Sequence, residues 1–131
     1  MKENRPETPE LLITELQTKG IKHNAADIIR IARRQDGVIA FLEKGHPNAG
    51  LQHILLKHKD DFANTGISES QIPDLIITAA TAGQIAGYQG RGRPVYEVIF
   101  HGKTYYIAIE IGSNGFIVSA NPRTDRGRSS P

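Results

Sequence analysis

A chain of 131 residues has room for one domain and one modest core. With no cysteine it has no disulfides, no thiolate nucleophile and none of the common cysteine-bearing zinc sites. The net charge of +2 is unevenly placed: residues 1–90 carry 10 Lys+Arg against 11 Asp+Glu, and residues 91–131 carry 6 against 3, a basic excess suited to an anionic partner such as nucleic acid. No run approaches the apolar length of a membrane span. Met1 to Glu10 is polar and acidic, so no secretory signal peptide is expected there.

In chain order, "TPELLITELQTKG" reads as a helix capped by Thr8, with Pro9 in its first turn and Gly20 as its stop. "HNAADIIRIARRQDG" reads as a second helix from Asn24 to Gly37, with Ile28, Ile29, Ile31 and Ala32 inward and Arg30, Arg33 and Arg34 outward. "VIAFLEKG" is a short strand candidate, and "HPNAG" is the loop after it. "GLQHILLKHKDDF" is a third helix. "SESQIPDLIITAATAG" is a fourth, opened by a Ser68–Gln71 capping box or by Ser70 and closed at Gly83.

Beyond residue 83 the period changes from helical to alternating. Strands are expected at about 84–89, 94–100, 103–112 and 116–121, with turns at His101-Gly102 and Asn114-Gly115. Two-residue turns at both sites set Val98 opposite Tyr105, Tyr96 opposite Ile107, Ile111 opposite Val118 and Glu110 opposite Ser119. The core face is then Tyr96, Val98, Tyr105, Ile107, Ile109, Ile111, Val118 and Ala120, with Glu97, Tyr106, Glu110, Ser119 and Asn121 on the other. The expected fold is α+β: N-terminal helices packed on a C-terminal antiparallel meander of three to four strands. The expected division is a helical lead-in over 1–37, a core over 38–122 and a flexible basic tail over 123–131.

The densest chemistry lies in "LQHILLKHKDDF". At 100° per residue, Leu51, Ile54, Leu55, His58 and Phe62 share one stripe, while His53 and Lys57 are neighbours on the far side. His58 is therefore either a packed core histidine or an acid–base group, and His53 with Lys57 is either a solvated face or part of the same site. No metal is expected: the two histidines are five apart, and no carboxylate completes a helical zinc motif. An imidazole with a nearby cation suffices for metal-free RNA cleavage without a cofactor, and Ser119 or Asn121 could bind the phosphate oxygens.

Three segments carry a resemblance: "AGLQHILLKHKDDFANTGIS", "GYQGRGRPVYEV" and "GKTYYIAIEIGSNGFIVSANP". With a helical H-I-x-x-K-H and a late N-G-F-I-V-S-A strand end, residues 38–122 resemble the small nuclease domains of the barnase–EndoU–colicin–RelE superfold. Such domains occur at the C-termini of polymorphic and contact-dependent growth inhibition toxins and in phage proteins. The resemblance implies a metal-independent ribonuclease, often cutting tRNA in the cytoplasm of a target bacterial cell and neutralised by a cognate immunity protein. It implies catalytic roles for Lys57, His58, His53 and Ser119, and substrate contacts for Asn121, Lys103, Arg91 and Arg93. It also leaves room for a variant with Glu97 or Glu110 as base. The chain departs from richly aromatic RNA binders: it has no tryptophan, so stacking would fall to Tyr88, Tyr96, Tyr105 or Tyr106 unless these are strand core. A different class, a non-catalytic RNA- or protein-binding module of the same fold, predicts binding without cleavage.

Overall fold

The computed structural model describes residues 7–131; the first six residues of the expected lead-in lie outside the described residues. The order is α1 (Pro9–Thr18), β1 (Ile28–Arg33), β2 (Ile39–Glu43), α2 (Leu51–Asn64), α3 (Ile72–Ala82), β3 (Gln84–Gln89), β4 (Arg93–Phe100), β5 (Lys103–Ile111) and β6 (Ile117–Arg123). The protein is α+β: β3 to β6 form an antiparallel sheet in meander order, and β1 and β2 form a separate antiparallel pair. No helix among the described residues is long and apolar enough to cross a membrane.

The second expected helix is not formed. A single 3-10 turn, Ala25–Asp27, leads into β1 instead. Isoleucines at 28, 29 and 31 fit a helical stripe, but their β-branched side chains also favour an extended backbone. The decisive factor is a partner: Ile31 pairs with Phe41, and Arg33 pairs with Ile39. β2 then alternates between two cores. Ile39 and Phe41 pack with Leu12 and Leu16 of α1, whereas Ala40 and Leu42 face the main core under α2 and α3. A strand buried on both faces needs the unbroken apolar run that "IAFL" provides.

The remaining expectations locate the sheet well. The Ser68–Gln71 capping box is present and precedes α3. His101 and Gly102 both take positive φ (50° and 78°), closing a two-residue turn that pairs Val98 with Tyr105 and Tyr96 with Ile107. The second turn is longer than expected. Asn114 stays out of the left-handed region, and residues 112–116 make the connection, with the Gly115 amide donating to the Gly112 carbonyl at 2.9 Å. A bulge follows, so Ile111 faces Ile117 rather than Val118, while Glu110 still faces Ser119. Gly115 takes positive φ (96°), and a β-carbon there would also overlap the Ile39 carbonyl oxygen, so β2 and this turn can touch only across a glycine.

α2 and α3 cover one face of the sheet, with Ile54, Phe62, Leu75 and Ile76 packed against Val98, Ile107, Ile109 and Ala120. Residue 123, expected as the first of the tail, ends β6. The chain then crosses to the far edge of the sheet, where Tyr88 and Arg128 exchange two backbone hydrogen bonds of 2.9 Å.

Candidate functional site

Where α2 meets the rim of the sheet, a groove of about 740 Å³ opens between His58, the hairpin loop Gly90–Gly92, Arg93, Glu110 and Asn121. Each wall has a local cause. His58 lies four residues from both Ile54 and Phe62, which are fully buried, so two core anchors hold the helical face that carries it. Its own side chain is 27% exposed, enough to reach solvent from the apolar stripe. Arg91 projects from the tip of the β3–β4 hairpin, whose flanking Gly90 and Gly92 both take positive φ. Glu110 and Asn121 come from β5 and β6, on the sheet face away from the helices.

The His58 ring is oriented by Asp61, three residues on. Asp61 Oδ2 accepts from His58 Nδ1 at 2.9 Å, which leaves Nε2 as the nitrogen free to exchange a proton. The Asn121 amide, in contrast, is spent. Its Oδ1 accepts from Gln89 Nε2 (2.9 Å) and Arg93 (3.3 Å), and its Nδ2 donates to Gln89 Oε1 (2.9 Å) and the Pro122 carbonyl (3.2 Å). Arg93 also pairs with Glu110 at 2.9 Å. Arg91 is exposed and has no side-chain hydrogen bond or ion pair to the described residues, so its guanidinium is available to an anion.

The structure thus brings His58, Arg91, Arg93 and Asn121 to one groove, together with Glu110. It does not bring His53, Lys57, Lys103 or Ser119 there. His53 Nδ1 donates to the Pro47 carbonyl at 2.9 Å, beside the loop that precedes α2. Lys57 is exposed on the outer helical face. Lys103 begins β5, whereas Glu110 lies seven residues on, a separation of about 23 Å at strand rise; its ammonium sits 5.2 Å from the Tyr105 ring centre. Ser119 is only 3% exposed and is paired across the sheet with Glu110. Tyr96 is core, and burial raises its phenol pKa, so it remains protonated.

Two groove partners were not singled out by sequence. Asp61 was legible as an i,i+3 neighbour of His58 on a helix. Gln89 carried no signal, because its role depends on strand pairing across the sheet. Among the described residues no group of three His, Asp or Glu side chains is placed to hold a metal ion.

Compared by sequence, the chain matches no protein-family model and no curated protein. Fold and groove by themselves define a class: an α+β domain with a cationic, histidine-bearing groove at the helix–sheet rim.

Proposed function

We propose that this groove binds RNA and cleaves its backbone without a metal ion. The observation that supports this reading is the meeting in one groove of an imidazole, a carboxylate and a guanidinium, Arg91, that has no partner among the described residues. In the proposed reaction Glu110 takes the proton of a 2′-hydroxyl, whose oxygen attacks the adjacent phosphorus. The bond to the 5′-oxygen breaks, and His58 supplies that oxygen with a proton from Nε2. Arg91 and Arg93 steady the charge on the phosphorane. The products are a 2′,3′-cyclic phosphate and a 5′-hydroxyl. Compared with the His53–Lys57–His58–Ser119 constellation, this assignment keeps His58 and replaces the others with groups that share its groove.

The toxin setting, tRNA as target, action inside a bacterial target cell and an immunity protein as partner draw their support from the sequence resemblance. A second reading has one observation in its favour: Glu110 is already ion-paired with Arg93, as it would be in a groove that binds without cutting.

Incubating the pure protein with total RNA in EDTA separates the two. Fragments ending in 2′,3′-cyclic phosphate are expected. His58→Ala should abolish them with the fold retained, and Lys57→Ala and His53→Ala should leave them. RNA that is bound but intact would favour the second reading, and full cleavage by folded His58→Ala would overturn the site.

A further inference from the structure

Arg91 can serve an anion only if its loop is held in place, and a glycine on each side makes that loop intrinsically loose. The contacts that hold it come from the other end of the chain. Beyond β6, Arg123 binds Asp125 at 2.8 Å, and Asp125 Oδ1 accepts the Gly127 amide at 2.9 Å, which turns the chain back under the sheet. Arg128 then adds to the outer edge of β3 through its two backbone hydrogen bonds with Tyr88, and its guanidinium donates to the Gly90 carbonyl. Pro131 lies close by, since a β-carbon placed at Gly92 would come within van der Waals range of its side chain.

Two glycines show that this docking is built into the sequence. A β-carbon at Gly87 would overlap the Arg126 carbonyl oxygen, and one at Gly127 would overlap the Tyr88 carbonyl oxygen. Gly87 takes no positive φ, so its backbone conformation does not require glycine. The close approach of the C-terminal segment does. Without that segment β3 would present an open edge, and Gly90 would lose its side-chain tether.

We propose that residues 124–131 act as a strap that fixes the arginine loop of the groove, with Arg128 as the positioning residue. The strap's effect on ligand binding rests on the reading of the groove as an RNA site; its effect on the loop does not. Arg128 acts behind the loop and is not among the groove-lining residues.

The test uses the full chain and three variants: Arg128→Ala, Arg128→Lys and Arg126→Ala. Arg126→Ala removes the same charge from a side chain whose nearest acidic partner is Glu97 on β4, not the loop. Amide hydrogen exchange of residues 88–93 is read alongside binding of single-stranded RNA and melting temperature. Arg128→Ala is expected to speed exchange in 88–93 and to weaken RNA binding about five-fold, the factor that one net hydrogen bond represents. Arg128→Lys, which keeps a donor, should restore much of both, and Arg126→Ala should leave loop exchange unchanged. Loop exchange that is unaltered in Arg128→Ala, or equally raised in Arg126→Ala, overturns the strap. If exchange rises in Arg128→Ala while the unmodified chain binds no RNA, the strap holds and the RNA reading fails.

Discussion

Asn121→Ala tests how the groove is held together. Asn121 uses both lone-pair directions of Oδ1 and both hydrogens of Nδ2 within the protein, so it braces the site rather than touching a ligand. Truncation removes four hydrogen bonds and strands the Gln89 Nε2 amide, while Gln89 Oε1 keeps the Arg123 guanidinium at 3.1 Å. Each bond contributes about 1 kcal/mol net when fully buried; at this half-buried site water replaces part of the loss, giving about 2 kcal/mol. For a domain of this size that lowers the melting temperature by about 6–8 °C. Among the described residues Arg93 then keeps Glu110 as its one side-chain partner and swings with it, so RNA binding should fall roughly three- to ten-fold. Asn121→Asp makes the contrast. A carboxylate still accepts from Arg93 and Gln89 but cannot donate to Gln89 Oε1, and it adds a negative charge beside Glu110. That variant should melt above Asn121→Ala yet bind RNA more weakly. Calorimetry and fluorescence anisotropy with a labelled RNA read both quantities. An Asn121→Ala protein that melts and binds as the unmodified chain does would refute the brace.

Two further predictions concern the fold that presents the groove. Hydrogen bonds from Arg33, and then from Lys19, hold the Glu15 carboxyl down to about 2, and Arg33 also lowers Glu7. A depressed carboxyl contributes stability that is present above its unfolded value and lost as pH falls through the folded one, so urea midpoints should drop between about pH 5 and pH 2. Glu15→Gln should flatten that drop, and parallel pH profiles for the two proteins would refute the link. Phe62→Ala empties a fully buried site under the sheet and should cost about 3–5 kcal/mol by chemical denaturation, whereas the exposed Leu56→Ala should stay within about 0.5 kcal/mol.

Most of the sheet was legible in the sequence because its signals are local. His101-Gly102 fixed one register through a turn that only certain residues can make, and alternation from Val95 to Ile111 did the rest. Ser68 and Gln71 announced α3 in the same local way. β1 was not legible. "IIRIAR" satisfies a helical stripe and a β-branched strand at once, and only pairing with residues 39–43 decides between them. The Asn114-Gly115 turn misled for a related reason. Its glycine serves a contact with Ile39, 76 positions earlier in the chain, and the loop lengthens to make that contact. Site residues divide along the same line. His58 was readable from helical spacing, whereas Gln89, the tether on Gly90 and the distance of Lys103 from the groove are products of topology.

The groove separates groups that hold from groups that are free. Gln89 and Asn121 satisfy each other, Arg93 is shared between Asn121 and Glu110, and Asp61 occupies one side of the His58 ring. Among the described residues that leaves His58 Nε2 and the Arg91 guanidinium with unfilled hydrogen-bonding capacity, and they come from elements anchored differently. His58 is carried by a helix clamped on two buried side chains, so its placement is as firm as the core. Arg91 is carried by a two-glycine loop whose side-chain tether to the rest of the fold is Arg128. In the proposed reaction a phosphate in the groove would compete for the Arg93 donors and so draw that guanidinium away from Glu110. Substrate entry would thereby free the base, and without substrate the carboxylate remains paired.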